Sequence, residues 1–535
     1  MYDTIIHGGS ICDGLGGQPY DADLAIVAER IATIGNLAGA AAKRTFDAAG
    51  KVVSPGFIDM HSHADLALLV DPSAAPKVRQ GVTTEMVGMC GLGPAPTYPA
   101  TAAAWRQSLV GILGDQPGEW AWRTFGAYLD DLQLAQPALN VAALATYGAV
   151  RAAVLGLEDR APDLQEMATM RRLVDEALDD GAFGVSLGLV YLPCFFADAE
   201  ELVSVYRRVG AKGALMDIHL RSQADGVLEA LGEALALAHE ADVPLHVSHL
   251  CAAGRPNWGK PREMLAAIDA ATANGRDVTF DQHPYDAGST MLSQVLSAWT
   301  VVGGAAALVG RLADPAQRDR IKREVRENPP SPDPRMPWQN FVALVGWDNV
   351  LITSAASEAN RWCIGRSVAE IATARHCDPT DAALDLLIEE RGAVAMLLLN
   401  LYSPADLAEI MQHQKGMIGS DDVYTGTPHP RLYGTFPRVL GKFAREDGVI
   451  TLAKAVKRMT SVPARRLGLS DRGVLREGAF ADVVVFDPAT IRDTATYDNP
   501  RQYPTGIHYV FVNGLLTVDA GKQTNARGGS VLRRR

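Results

Sequence analysis

Two hydrophobic periods divide the chain. Near its start, short runs at 2–6, 23–27 and 30–34 carry apolar strand-forming residues with Gly and Asp at the turns between them, a pattern that predicts strands. The pattern returns near the end. Ala481-Asp482-Val483-Val484-Val485-Phe486-Asp487 echoes Ala22-Asp23-Leu24-Ala25-Ile26-Val27, and the run 509–512 ahead of Asn513-Gly514 predicts a hairpin. Two strand-rich ends around a different middle predict one small β-sandwich domain built from residues 1–56 and 471–525.

Between the ends, strand-length apolar runs fall at 57–63, 82–90, 141–148, 183–188, 214–219, 244–249, 278–283 and 417–421. They alternate with stretches of helical period, of which 164–178, 227–239 and 262–273 are the clearest. Eight strands alternating with helices predict an α/β fold, a (β/α)8 TIM-like barrel over 57–470. The interval of about 286–348 contains Gly303-Gly304 and Asn328-Pro329-Pro330 and is too long for a plain barrel connection. It predicts an inserted lid over the site.

Composition narrows the function. With 47% hydrophobic and 21% charged residues among 535, a large core is available and global disorder is excluded. The formal charge of −12 argues against nucleic acid and against an anionic membrane as partner, because both need a basic face. Six cysteines without a C-x-x-C pair form neither a disulfide framework nor a structural zinc module. No signal-peptide pattern and no run of about 18 apolar residues is present, so the expectation is a cytoplasmic protein with a small-molecule partner. The oligomeric state is left open.

Candidate chemistry gathers at the strand ends. His61-Ser62-His63 closes the first apolar run, and residues two apart on a strand share a face, so the two imidazoles converge. Cys90, His219, His249 and Asp421 close the second, fifth, sixth and eighth runs. The C-terminal ends of barrel strands are where barrel active sites lie. Each residue alone has a bland reading, a strand cysteine as inert core and a strand histidine as a satisfied polar group, but six N, S and O donors at five strand ends suit one or two zinc ions. His246, three positions before His249, is expected to face the other way in a structural role.

The motif Gly56-Phe57-Ile58-Asp59-Met60-His61-Ser62-His63 resembles the entry motif of the amidohydrolase superfamily. Within it the chain resembles the N-acyl-D-amino-acid deacylases (D-aminoacylases). The resemblance is carried by Gly81-Val82-Thr83-Thr84, Val87-Gly88-Met89-Cys90-Gly91, Gly184–Tyr191, Val247-Ser248-His249, Met417–Asp421 and Pro428–Arg438. It implies that Cys90, His219 and His249 hold a tight zinc, and that His61 and His63 serve a weaker second position. Asp421 becomes general base and acid. Arg431 is implied to pair with the substrate carboxylate, with Tyr285, Ser289 and Tyr191 as further substrate contacts. The implied activity is zinc-dependent deacylation of N-acyl-D-amino acids.

Departures from the family pattern touch the pocket wall. Leu250 and Cys251 stand where relatives carry His and Lys, His283 stands where they carry Tyr, and Tyr147-Gly148 replaces a Gly-His pair. A cyclic amide (hydantoin or lactam type) or another unusual N-acyl compound is therefore the alternative substrate. A remoter alternative is a serine hydrolase, because Gly184-Val185-Ser186-Leu187-Gly188 matches G-x-S-x-G with Asp421 and His429 downstream. Such an elbow must enter a helix, and the residues after Gly188 read as loop.

Overall fold

The computed structural model describes residues 1–114, 120–331, 333–336 and 338–535. Its centre is a ring of parallel strands that appears as two hydrogen-bonded arcs. Phe57–Asp59 pairs with Val82–Val87, which pairs with Asn140–Ala143. The second arc runs Ala145–Thr146, Gly184–Gly188, Leu215–His219, Leu245–Val247, Val278–Gln282 and Gly416–Ile418. Only Leu144 separates the two arcs on the third strand. At the other seam, Met60 N donates to Ile418 O at 3.1 Å, Asp421 N donates to His61 O at 2.8 Å, and Ser62 bridges Asp422 in parallel. The eighth strand thus returns to the first, and the eight strands close as a (β/α)8 barrel.

The barrel strands are buried along almost their whole length, which is why they read as continuous apolar runs. The helices follow their period. Leu164–Asp179 buries Met170, Leu173, Val174, Ala177 and Leu178, and Asp163 with Glu166 closes a capping box at its start. Val227–Ala241 and Pro261–Ala273 occupy the other two predicted stretches.

Several strands end earlier than their sequence suggests. The third stops at Thr146, and Tyr147–Leu155 is helix rather than strand end. That turn packs closely: a Cβ on Gly148 would stand 2.3 Å from Gly91 O. The runs 57–63, 82–90, 244–249 and 417–421 likewise outlast their ladders.

Both termini contribute to one nine-stranded sheet. Tyr2–Ile11 pairs antiparallel with Tyr20–Val27 and parallel with Ala42–Asp47 and Val52–Pro55. Val52–Pro55 then pairs with Val483–Phe486, followed by Ile507–Val512, Leu515–Asp519 and Lys522–Gln523. This is a continuous sheet rather than two separately paired ones. It curls: Ile31 from one end and Phe511 from the other share an apolar cluster with Ile6, Leu24 and Val485. The predicted hairpin is present, and Asn513 and Gly514 have φ of 49° and 78°, as a type I′ turn requires.

Two segments go further than expected. Between the seventh and eighth strands, Gly288–Met291, Ala395–Leu398 and Val350–Ser354 form their own antiparallel sheet, and two of these strands lie beyond 348. The last residues run back along the barrel, where Leu532 N donates to Val141 O and Val141 N to Ser530 O. Among the described residues no helix is long and apolar enough to cross a membrane.

Candidate metal centre

The strand ends bring His61, His63, Cys90, His219, His249 and Asp421 to one place. Cys90 Sγ lies 3.4 Å from His61 Nε2, 3.4 Å from His249 Nε2 and 3.7 Å from His219 Nδ1. Asp421 Oδ1 lies 3.5 Å from both His61 Nε2 and His63 Nε2. The donors form overlapping triads: Cys90-His219-His249, His61-His63-Cys90 and His61-His249-Asp421. Three of these residues take left-handed backbone, with φ of 56° at Cys90, 34° at His249 and 50° at Asp421. Such strain in non-glycine residues persists where the surroundings over-determine it, and it is concentrated here on donor-bearing turns.

This donor set fits zinc. With a Zn–S bond of about 2.3 Å and Zn–N of about 2.0–2.1 Å, a tetrahedral angle separates sulfur and nitrogen by about 3.5 Å. The three Cys90–imidazole separations bracket that value. Burial pushes the Cys90 thiol up to about 12, against the pull of His61, so a thiolate at neutral pH requires a cation beside it. Burial also holds His249 down to about 4 and His219 well below the usual imidazole range, which leaves both rings neutral, the ligating form. For Asp421 burial raises the carboxyl, but Arg431, His61 and His63 outweigh it and hold it well below the ordinary range.

Behind the donors lies a layer that the sequence reading missed. Asp281 Oδ2 is 3.4 Å from His61 Nδ1 and 3.0 Å from His246 Nε2, while Oδ1 accepts from His249 N at 3.0 Å. A carboxylate on the far nitrogen fixes a metal-binding histidine and its tautomer. The Gln223 side-chain amide lies 2.8 Å from His249 Nδ1. A ring that ligates through Nε2 carries its proton on Nδ1, so the ligating form pairs with Gln223 through Oε1 after an amide turn. Gln223 N in turn donates to Gln339 Oε1 of the insert at 2.7 Å. His246 stays outside the donor triads, its ring held between Thr279 Oγ1 at 2.8 Å and Asp281 Oδ2 at 3.0 Å. The backbone N of His249 meets the other oxygen of the same Asp281 carboxylate. The available signal was a charged residue inside an apolar strand, Phe280-Asp281-Gln282.

The loop carrying Asp421 is fixed from beneath by a wholly buried lysine. Lys77 Nζ donates to Ser420 Oγ and to Asp422 Oδ1, each at 2.8 Å, and also contacts Asp59. Asp59 accepts from Ser420 N at 2.8 Å.

The substrate-side residues divide. Tyr191 and Ser289 face the chamber over the donors, together with Asp421, and Tyr191 OH is 3.2 Å from Thr290 Oγ1. Arg431 sits behind Asp421, with Nη1 3.0 Å from Oδ2. That contact lacks hydrogen-bond geometry, and Nε, Nη1 and Nη2 of Arg431 make no hydrogen bond although the side chain is 1% exposed. Tyr285 is not brought to the chamber wall. It is buried against the His429 ring at 5.1 Å, with the Arg438 guanidinium over its face. His283 and Cys251 are buried beside Tyr402, whose ring is 5.6 Å from that of His283.

No serine triad forms. Ser186 Oγ accepts from Gly91 N at 3.0 Å, and His429 is occupied by Arg431 N and Ala287 O. The segment after Gly188 enters no α-helix.

Comparison with known proteins agrees with this architecture. The model of the amidohydrolase family matches residues 44–316 and 365–518. The chain is 37% identical to a D-aminoacylase of Alcaligenes xylosoxydans xylosoxydans, over 100% of this chain and 98% of that one. It is also 37% identical to an N-acyl-D-glutamate deacylase of the same organism, over 99% and 96%. The crystal structure of an N-acyl-D-glutamate deacylase from Bordetella bronchiseptica, complexed with zinc and a phosphonate mimic of the tetrahedral intermediate, superposes with a TM-score of 0.84. It shares 35% identity with this chain, over 99% of each. With a family model spanning most of its length and relatives matched end to end, the chain belongs to the amidohydrolase family.

Proposed function

We propose that this protein is a zinc-dependent amide hydrolase that converts N-acyl-D-amino acids to a carboxylate and a free D-amino acid. The observation that carries the reading is the convergence of Cys90, His219 and His249 with Asp421 at the mouth of the same barrel. Cys90, His219 and His249 would hold the tight zinc, and His61 and His63 a weaker second ion. Zinc there supplies Lewis acidity for the scissile carbonyl and acidity to water. Preference for linear N-acyl-D-amino acids is supported by the relatives named for that activity.

The protein's own groups divide the work. Asp421 begins ionised, takes a proton from the attacking water and returns it to the leaving nitrogen, a role typically worth about 10²–10⁴-fold. Arg431 receives the substrate carboxylate, since its planar fork offers two parallel donors that, its ion pair with Asp421 apart, make no hydrogen bond among the described residues. Tyr191 and Ser289 line the chamber and orient the acyl amino acid. Tyr285 supports the site from behind His429.

A screen of zinc-loaded protein tests the reading. N-acetyl-D-amino acids should be hydrolysed, their L-enantiomers poorly, and hydantoins and lactams not at all. Ring opening without linear deacylation would overturn it.

A further inference from the structure

The end of the barrel opposite the metal donors gathers charge that the reaction does not use. Phe183, Leu215, Pro244 and Asp277 stand at the N-terminal ends of the fourth to seventh strands and line a cleft of about 980 Å³. Its other walls are the segment 465–472, the last residues 530–535, and Arg30 with Phe480. The cleft thus lies where the barrel, the terminal sheet domain and the last segment of the chain meet, and ligand sites favour such junctions.

Seven arginines line it against three carboxylates, Glu29, Asp277 and Asp471, in a chain whose formal charge is −12. Several are held in place. Arg30 donates to Asp471 at 3.0 Å, Arg466 to Asp277 at 2.7 Å, and Arg533 to Asp130 at 2.6 Å. Arg534 donates to the carbonyl of Lys212, so its charge meets no carboxylate. Arg465 and Arg535 make no hydrogen bond or ion pair among the described residues.

Arg472 forms the most ordered part of the lining. Its side chain is 5% exposed, and Nη1 donates to Asp482 and to Asn513 Oδ1. Its guanidinium stacks 3.7 Å from the centre of the Phe480 ring, and that of Arg30 lies 3.5 Å from the same centre. Nε and Nη2 of Arg472 make no hydrogen bond among the described residues, on a side chain that lines the cleft. A guanidinium fixed by stacking and by a buried carboxylate loses little freedom on meeting a ligand, and its free edge suits two oxygens at once.

We propose that this basal cleft binds a small molecule carrying a chain of two or three phosphates, with Arg472 seated on the chain and Arg465, Arg534 and Arg535 around it. Three guanidinium charges without a carboxylate partner match such a chain in sign and number, and guanidinium forks pair with phosphate oxygens two at a time. The acidic remainder of the protein repels anions, which focuses them on this cleft. Its volume leaves room for a group beyond the phosphates, so inorganic polyphosphate and a nucleoside triphosphate share the required chemistry. The site stands independently of the amide-hydrolase reading, because it lies at the other end of the barrel.

Calorimetry on the whole chain at physiological ionic strength, with tripolyphosphate and with ATP, tests the proposal. Tripolyphosphate should bind saturably, one per chain. Tighter binding of ATP would identify a nucleoside-bearing ligand, and equal or weaker binding the phosphate chain alone. Arg465→Ser combined with Arg535→Ser removes two exposed guanidiniums that hold nothing in the fold. It should weaken tripolyphosphate by at least about tenfold, the worth of one charge-assisted hydrogen bond or more. Arg472→Lys keeps a charge beside Asp482 but loses the stacked fork, and should weaken binding as well. Arg171→Ser combined with Arg207→Ser removes the same charge from the flank of the barrel, on the helices Leu164–Asp179 and Ala199–Ala211. Screening of distant charges should leave binding there within about twofold. No saturable binding by the wild-type chain, undiminished binding by the Arg465/Arg535 variant, or equal weakening by the flank variant would overturn the proposal.

Discussion

The guanidinium of Arg431 stands 3.0 Å from the carboxylate of Asp421, and the two side chains are only 1% and 14% exposed. Burial pushes the Asp421 carboxyl up, and Arg431 is the largest influence that pulls it down again. Arg431→Gln should therefore raise the Asp421 pKa and move the acid limb of the kcat/KM profile to higher pH. Arg431→Lys keeps the charge but loses the fork, so the limb should stay while KM for a free-acid substrate rises. An amidated substrate should be less sensitive to the lysine change. An unmoved limb in the glutamine variant would remove Arg431 from the control of Asp421.

Metal content should depend on Cys90 and on no distant thiol. Cys90→Ala should lose tight zinc, whereas Cys12→Ala, Cys363→Ala and Cys377→Ala should retain it, because those cysteines lie away from the donor triads. Zinc per chain after dialysis, read by elemental analysis, checks this. Full occupancy in the Cys90 variant would refute the thiolate assignment.

The partner of His249 should tune the metal. Gln223→Leu removes the acceptor for Nδ1–H, and loss of such a support typically weakens metal binding about 10–100-fold. Gln223→Glu keeps an acceptor and should hold zinc at least as well as the glutamine. Competitive titration with a chelator dye distinguishes the three proteins, and identical affinities would show that Gln223 does not orient the ring.

Acid stability should carry the mark of His283. Burial, reinforced by Arg431, lowers this imidazole from 6.5 to about 3. The unfolded chain protonates it below about 6.5 and the folded chain does not, so its contribution is complete above that pH and shrinks as pH falls towards 3. Each pH unit in that window costs about 1.4 kcal/mol at full burial. His283→Phe should flatten the fall in Tm between pH 6.5 and pH 4, measured with zinc present. An unchanged slope would contradict the assignment.

Much of this architecture was legible in the residues. The eight barrel strands announce themselves because strands buried on both faces leave unbroken apolar runs, and the donors stand out because they interrupt those runs at their ends. What the pattern could not give is where each ladder stops. Cys90, His249 and Asp421 leave the strand conformation through left-handed turns, and residue type does not forecast a strained φ. The support of the donors was hidden for another reason. Asp281 reaches His61 past the eighth strand, and Gln223 reaches His249 from the loop after the fifth, so no local motif joins them. The insert sheet was equally silent, since Gly288–Met291 finds its partner Ala395–Leu398 about a hundred residues later.

The central claim is that Asp421 moves the proton while the cysteine and two histidines hold the metal. Asp421→Asn preserves size but removes the proton acceptor, and it leaves Cys90, His219 and His249 intact. The decisive measurement is kcat and zinc content of this variant together, across added zinc concentrations. The account predicts that kcat falls by at least about 10²-fold while tight zinc stays bound. Near-normal turnover at any zinc level would contradict it.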